Sequence, residues 1–303
     1  MLTVHVSTAS PRQLPASLHP LHVDMTLMRS AGHGVSGMAH NPSVTVHDGR
    51  LLAVVRVLFL SQRTTHNITG HIDDGWRFGN QRLSVDLTGG PRNHNAMTRG
   101  YEDWRLISWK SRLFASATTC DRVPGDPRPK IAVLDLDNNC NVVRARVQPS
   151  GRHEKNWMPV VDGEDLRFVY SAEPRIILDF SEATGLVVPS ACDVDLQSSI
   201  IRGGSQLVPY EDGYLAVVHE VHHERAQPHG NGRYVYYHRL ARFDRGLHVL
   251  RMSEPFYFRG LGIEFCAGLA EWKEHFVLSF GIEDREAYLA VVHRDVVQRM
   301  VRP

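Results

Sequence analysis

Five short clusters of polar residues recur along the chain, and their side chains are of the types that move protons and hold anions. The clusters are His40–Ser43, Tyr101–Arg105, His153–Trp157, Arg202–Gln206 and Ile263–Gly268. A positioned carboxyl group can donate a proton to a leaving oxygen. Arg and Lys can neutralise a phosphate or carboxylate and fix its orientation. The clusters therefore predict acid–base chemistry beside a site for an anion.

Each cluster stands before a predicted β-hairpin, so the hairpins must position the clusters. The hairpins span residues 46–57, 108–119, 160–171, 210–221 and 271–282. Tight-turn residues such as Asp162 and Gly163 lie between β-forming runs, which is the usual chemistry of a hairpin. The turns recur at intervals of 50 to 62 residues, and no long helical stripe of apolar residues interrupts them. The pattern predicts an all-β chain.

A repeat of this length with several strands in each unit favours a radial β-propeller. We therefore predict one five-bladed β-propeller domain over residues 1–303, although length alone would suggest two domains. A pair of β-sandwiches is the alternative. Equivalent positions of successive blades converge on the axis of a propeller, so the five clusters would surround one funnel. For a single cluster, an ion pair between blades such as Asp103–Arg105 or Glu154–Lys155 is the competing interpretation.

The charge balance argues against several classes of partner. The chain has 303 residues, with 34 Lys and Arg against 33 Asp and Glu, and a net charge of +1. This balance does not provide the basic field with which proteins bind nucleic acids or membrane surfaces. No stretch approaches the ~20 apolar residues of a membrane span, and the first residues do not form a secretion signal. Four widely spaced cysteines predict a reduced, cytoplasmic protein.

Two sequence motifs match known functional patterns but lack the secondary structure that those functions need. His219 to His223 matches the H-E-x-x-H zinc pattern, which needs a helix, but the segment is predicted to be a strand. Gly32 to Gly37 matches G-x-G-x-x-G, but Asn41-Pro42 follows where the helix should run. We predict neither a metal site nor a cofactor.

The ordered set of short motifs resembles glycoside hydrolase family 130, and also the related glycosyltransferase family 108. The motifs are Asn41-Pro42 with Arg56, Glu102-Asp103-x-Arg105, Lys155, Gly203-Gly204-Ser205 with His219, Tyr237-His238-Arg239, and Ser279-Phe280-Gly281-x-x-Asp284. The resemblance runs from about residue 40 to residue 293. It implies a five-bladed propeller that acts on β-mannosides, either as a phosphorylase or as a hydrolase.

The resemblance also implies roles for individual residues. Asp103 matches the family's proton donor, and inorganic phosphate would attack the anomeric carbon with inversion. The mannosyl unit would be held by Asn41, Arg56 and Asp284, with Glu102, Arg105 and Glu264 as further substrate-binding residues. The phosphate or donor side would be formed by Lys155, His219, Arg239 and Arg128. Independently of the resemblance, aromatic faces suit the C–H surface of a sugar, and Trp104, Trp157, Tyr237 and Phe265 lie beside the clusters, with packing in the blade core as the competing role for at least half of them.

Alternatives to a β-mannoside phosphorylase stay open. Trp104 stands where the family has proline, and the residues around Lys155 differ from the usual phosphorylase form. A β-mannosyltransferase using GDP-mannose or mannose 1-phosphate is one alternative. A β-mannosidase-type hydrolase is another, and it would need a second carboxylate roughly 6.5–9.5 Å from the first, for which Glu264 and Glu154 are candidates. A non-catalytic glycan-binding propeller is the third. Homo-oligomerisation is left open.

Overall fold

A computed structural model of the protein describes residues 9–34, 36–90, 92–192, 201–224 and 233–302. In chain order, the elements of the first half are β1 Arg12–Gln13, β2 Ser17–Pro20, α1 Thr26–Ser30, β3 Met38–His47, β4 Arg50–Phe59, β5 Thr64–Ile72, β6 Phe78–Leu83, β7 Glu102–Trp109, β8 Arg112–Thr119, β9 Lys130–Leu136 and β10 Val142–Val147.

The remaining elements are β11 Met158–Asp162, β12 Asp165–Ser171, β13 Ile176–Phe180, β14 Val187–Cys192, β15 Ile201–Gly203, β16 Val208–Tyr210, β17 Gly213–Glu224, β18 Arg233–Phe243, β19 Val249–Met252, β20 Phe256–Tyr257, β21 Glu264–Trp272, β22 His275–Ile282, β23 Glu286–His293 and α2 Arg294–Val301. Neither helix of the described chain is long and apolar enough to cross a membrane.

Four sheets have four antiparallel strands each. Their strand orders are β3-β4-β5-β6, β10-β9-β8-β7, β11-β12-β13-β14 and β2-β23-β22-β21. In the last of these, a strand from the start of the chain completes a sheet from its end, since Ser17 lies opposite Val291. All five predicted hairpin turns are present, and each joins two paired strands. The all-β, propeller-like class is confirmed.

The prediction of five blades is wrong in its count, because the structure shows four regular blades. The predicted hairpin at 210–221 belongs to a seven-stranded sheet of different construction. Its two long strands, β17 and β18, have 12 and 11 residues, and each pairs with two short strands along its outer edge. The further strand β1 runs parallel to β20. This sheet differs from the other four because the position beside each long strand is divided between two short strands.

The first strands of the sheets run side by side around the axis, and polar side chains tie them together. Ser43 Oγ accepts a hydrogen bond from the Leu106 backbone N–H at 3.1 Å. The Gln206 amide Nε2 donates to the carbonyls of Val44 and Leu269, which belong to two other sheets. Gln206 is buried, and its amide therefore joins the first strands of two sheets beside the axial cavity that it lines.

On one side of Gln206 lies an axial cavity of about 340 Å³ lined by the ends of these strands, including Thr45, Ser108 and Ala270. The predicted polar clusters lie at the other side, where β3, β7 and β21 begin. The fold therefore gathers the clusters at one mouth of the ring.

Candidate functional site

Two equivalent β-bulges place Asn41 and Asp103 at this mouth. The pairing of β3 with β4 shifts register between His40 and Ser43, and the pairing of β7 with β8 shifts between Glu102 and Arg105. Inside these bulges Asn41 and Asp103 have φ of +45° and +49°. Asn and Asp tolerate this left-handed conformation better than other side chains that have a Cβ. Bulges re-aim side chains, and here they turn an amide and a carboxylate towards each other.

The Asp103 carboxylate is held at one oxygen by two donors. Asn41 Nδ2 donates to Asp103 Oδ1 at 3.0 Å, and the Arg56 guanidinium donates to the same oxygen at 2.8 Å. Arg56 also lies 3.3 Å from Glu102 Oε2, and its Nε donates to Thr65 Oγ1 at 3.0 Å. One buried guanidinium therefore joins two adjacent carboxylates. No described residue donates a side-chain hydrogen bond to Asp103 Oδ2, so this oxygen can serve a ligand.

The two carboxyl groups differ in acidity because of their surroundings. Burial opposes ionisation of Asp103, but the Arg56 charge and the Asn41 hydrogen bond outweigh it and hold its pKa well below the usual range. For Glu102, burial dominates over the attraction of Arg56 and raises the pKa. Two neighbouring carboxyl groups whose pKa values are shifted in opposite directions are typical of acid–base sites. Asp103 is therefore ionised in the free protein at neutral pH.

Arg105 is buried beneath the bulge that contains Asp103, where it stabilises the bulge and does not face a ligand. Only 1% of Arg105 is exposed, and its guanidinium donates to the carbonyls of Gly204 and Asp103 and to Asn156 Oδ1 at 2.6, 3.2 and 3.1 Å. It also lies 5.6 Å from the centre of the Phe265 ring. Arg105 thus connects elements of four sheets around the mouth.

Three more groups lie around the cluster of Asp103, Arg56 and Glu102. His40 is fully buried, its Nε2 lies 3.9 Å from Asp284 Oδ1, and burial lowers its pKa so that the ring is neutral at pH 7. The Asp284 side chain is 60% exposed at the rim. Lys155 is exposed, precedes Asn156 and is near enough for its charge to act on Glu102. The predicted residues Asn41, Arg56, Glu102, Asp103, Arg105, Lys155 and Asp284 are therefore brought together.

His219 lies in the wall of the same mouth, within β17. Its ring stacks on Tyr236 with centroids 5.4 Å apart and meets the edge of Phe265 at 5.3 Å. Burial lowers its pKa well below the usual value, so it is a neutral ring beside Phe265. The strand context of the H-E-x-x-H segment is confirmed by β17. Within the described ranges, no three His, Cys, Asp or Glu side chains are grouped as a metal ion would require.

Two predicted cations lie away from Asp103. Arg239 follows His238 on β18 and therefore faces the opposite side of the sheet from His219, where it forms a buried ion pair with Glu220. Arg128 lies on an exposed loop and is paired with Asp126 through two contacts of 2.7 and 2.8 Å. Their predicted place on the phosphate side has no support in this geometry.

The two candidate bases for hydrolysis have both oxygens engaged. Glu264 accepts hydrogen bonds from the backbone N–H groups of Phe258, Arg259 and Gly260 at 2.7 to 3.0 Å, and so anchors that loop. Glu154 accepts from Ser150 Oγ at 2.7 Å and from Trp157 Nε1 at 3.1 Å. Both carboxylates have the contacts of structural groups.

Of the four aromatic residues predicted to face a sugar, Phe265 is at the mouth. Trp104 and Trp157 are buried in core clusters. Tyr237 shares the far face of β18 with Arg239 and contacts the His222 ring. Tyr236, which the sequence reasoning missed, lies beside His219.

His40, Asn156 and Gly281 belong to the predicted clusters and motifs, but no individual role was predicted for them. A sequence signal for such positions is an Asn or Asp inside a strand-like run, because it favours a β-bulge with one residue in the left-handed conformation. Asn156 has this conformation too, at φ +63°. Gly281 is required at its position for lack of space. A Cβ there would lie 2.6 Å from the Asn41 backbone nitrogen and would clash with the Asn41 side-chain oxygen.

Gly281→Ala should therefore displace Asn41 from the Asp103 carboxylate. Any reaction that uses Asp103 should then slow about 10- to 100-fold, because small displacements of positioning groups have effects of this size. The unfolding free energy should fall by about 1–3 kcal/mol. Gly79→Ala is the matched control, since a Cβ at that strand position meets nothing within 4 Å. Equal turnover in the two variants would contradict the prediction.

Comparisons with known proteins identify the fold. No family model matches the chain, and no curated protein matches it in sequence. One similar solved structure is a member of the GH130 family of mannoside phosphorylases. It is described among the glycoside hydrolases that target β-1,2-mannosidic linkages in Candida mannan. Its TM-score is 0.57 at 16% identity, and the match covers 86% of this chain and 85% of its own.

Two phosphorylases are similar as well. The β-1,2-mannobiose phosphorylase of Listeria innocua has a TM-score of 0.56 at 13% identity, covering 87% of this chain and 92% of its own. A mannose phosphorylase of Leishmania mexicana, solved with a phosphate ion, has a TM-score of 0.56 at 11% identity, covering 89% and 88%. At these identities the similarity establishes a shared fold.

Proposed function

We propose that this chain is an enzyme that transfers a mannosyl unit at the Asp103 mouth, as a β-mannoside phosphorylase using inorganic phosphate. The observation that carries the proposal is the Asp103 carboxylate, held by Asn41 and Arg56 at one oxygen and free at the other. The GH130 member and the two phosphorylases that share this fold act on mannosides or mannose. The proposal carries that substrate class over to this chain.

The ionised state of Asp103 suits the synthetic direction. When mannose 1-phosphate is the donor, the bond from the anomeric carbon to the phosphate oxygen breaks and a bond to an acceptor oxygen forms. The acceptor hydroxyl loses a proton, directly or through a sugar hydroxyl, and Asp103 takes it up as general base. In phosphorolysis, the protonated carboxyl returns this proton to the leaving oxygen while phosphate attacks.

Water is disfavoured as the nucleophile at the two carboxylates that were the candidates for its general base. Inversion by water requires a free general base. Glu264 and Glu154 are each engaged at both oxygens, as described above. A phosphate dianion needs no such base, but it does need a cation.

Lys155 is an exposed cation near Glu102, and we expect it to bind that phosphate. Lys155→Met should raise the KM for mannose 1-phosphate about tenfold, as expected for the loss of one charged hydrogen bond, with a smaller change in kcat. Lys273→Met is the control, because Lys273 pairs with Asp74 on an exposed surface. Steady-state kinetics of both variants would check this, and an unchanged KM in Lys155→Met would assign phosphate binding to other residues.

The decisive experiment supplies mannose 1-phosphate with a panel of sugar acceptors and measures phosphate release and disaccharide formation. GDP-mannose is tested in parallel with the same acceptors. Release of phosphate that depends on the acceptor supports the phosphorylase. Turnover of GDP-mannose alone would replace it by a transferase, and free mannose formed from mannobiose without phosphate would replace it by a hydrolase. Absence of turnover with every donor and acceptor would leave a glycan-binding protein.

A further inference from the structure

A second cavity lies between the first two regular sheets, outside the Asp103 mouth. We call it the interblade cavity, and its volume is about 340 Å³. It is lined by strand β5, the segment after β6 and the segment before β7. Its polar and aromatic lining residues include His33, His66, Asn67, Arg92, Tyr101 and Trp104. Its size is at the lower end of the range for pockets that bind small molecules.

Four lining residues carry a buried polar atom without a hydrogen-bond partner among the described residues. These atoms are Trp104 Nε1, Asn67 Oδ1, His66 Nε2 and the Tyr101 hydroxyl. The orientation of the Asn67 amide is fixed, because its Nδ2 donates to the Tyr101 carbonyl at 2.9 Å. These side chains therefore carry an N–H that can only donate, an oxygen that can only accept, and a ring nitrogen and a hydroxyl that can do either. Buried polar groups in native proteins almost always have partners, so ordered water or a ligand is the expected partner.

The charged groups around the cavity already have partners in the protein. Arg92 lies 3.1 Å from both Asp86 and Asp121, and Arg122 also pairs with Asp86. Arg99 donates to the Gln62 carbonyl at 2.8 Å. Burial lowers the pKa of His66 to about 4, so its ring is uncharged at pH 7. A neutral ligand fits this environment better than an anion does.

Aromatic rings complete the lining. The His33 and His66 rings lie 4.0 Å apart between centroids, and Tyr101 and Trp104 are buried beside them. Ring faces suit the C–H surface of a sugar, while a hydroxyl group can accept from an indole N–H and donate to an amide oxygen at the same time. We propose that the interblade cavity binds one neutral, polyhydroxylated ligand of monosaccharide size, such as a single hexose unit.

This site shares a wall with the Asp103 mouth but is separate from it. Thr65 lines the cavity and also accepts a hydrogen bond from Arg56 Nε. Tyr101 and Trp104 line the cavity on either side of Glu102 and Asp103 in the chain. The proposal does not depend on mannosyl transfer, because it rests on the cavity and its unpaired groups alone.

Binding is tested with methyl α-D-mannoside and methyl β-D-glucoside as separate probes. A titration followed by NMR gives the affinity in solution, and crystals soaked with each probe locate it. We expect density in the interblade cavity contacting Trp104 Nε1 and Asn67 Oδ1. Ordered water alone in that cavity at saturating probe would overturn the proposal, as would binding confined to the Asp103 mouth or seen at crystal concentrations only.

Trp104→Phe removes the indole N–H and should weaken binding about fivefold, the usual contribution of one hydrogen bond. Because that N–H has no partner among the described residues, its loss should not by itself destabilise the protein. Trp109→Phe is the matched control: its N–H already donates to the Glu164 carbonyl at 2.9 Å, so affinity should stay unchanged. His66→Phe provides a second variant that keeps a ring and should also weaken binding. Equal affinities in all four proteins would show that the cavity is not the site.

Discussion

Asp103→Asn is expected to lower the turnover number by about 100- to 10,000-fold, the usual contribution of a general acid or base, in a protein that stays folded. The amide cannot take up or return a proton. Asn41 and Arg56 would still surround the side chain, and Asn tolerates the left-handed backbone at this position as Asp does. The measurement is phosphate release from mannose 1-phosphate at saturating acceptor, together with sugar binding by titration.

The control for this variant is Asp48→Asn. Asp48 lies in the turn between β3 and β4 with φ of +47°, close to the +49° of Asp103, but away from the mouth. It therefore tests the same substitution in the same backbone conformation, and its activity should equal that of the unmodified protein. If Asp103→Asn kept more than about a tenth of the activity, Asp103 would not be the proton-transferring group.

Arg56→Met should have the second large effect, on both stability and pH dependence. The substitution leaves two buried carboxylates without their shared cation, and breaking a buried pair in this way costs about 3–5 kcal/mol. Urea denaturation at pH 7 would measure this loss. Arg77→Met is the control, because the Arg77 side chain is 83% exposed beside Asp73 and its loss should not change the midpoint measurably.

The pH dependence follows from the direction of each pKa shift. The pKa of Asp103 is depressed in the folded protein, so its stabilising contribution is present above the unfolded value of about 3.9 and is lost as the pH falls. The pKa of Glu102 is raised, so its carboxyl disfavours the folded state increasingly as the pH rises through the folded value. Without Arg56 the pKa of Asp103 should rise, and the acid limb of the pH–rate profile should move to higher pH. An unchanged limb would mean that another group sets the protonation state of Asp103.

A second variant separates the charge effect from packing. Combining Arg56→Met with Asp103→Asn removes one of the stranded charges, so the added loss of stability should be smaller than in the single variant. Strict additivity would indicate that Arg56 stabilises the mouth through packing alone.

The hairpins could be predicted from the sequence because their information is local. A pair such as Asp162-Gly163 between β-forming runs determines a turn without reference to the rest of the chain. The periodic placement of polar residues before each hairpin likewise indicated Asn41, Asp103 and Lys155, since repeated units place equivalent residues together.

Other features depend on contacts that are distant in sequence. Glu264 resembles a catalytic carboxylate in type and phase, but the backbone N–H groups of Phe258 to Gly260 occupy it, and a loop conformation of this kind is not encoded in any short motif. The seven-stranded sheet was missed because its edge strands are interrupted. The position of Arg239 could have been found, because strand alternation alone places it on the opposite face from His238.

The buried Gln206 amide has a consequence for the proposed mannosyl transfer. It bonds to two sheets beside the axial cavity, so passage along the axis at this level would have to break both hydrogen bonds. Under the proposed function, substrate and product would therefore share the Asp103 mouth, and a product that stays there would block the next acceptor. Inhibition by product would then follow from the architecture as well as from affinity, and product release would limit turnover.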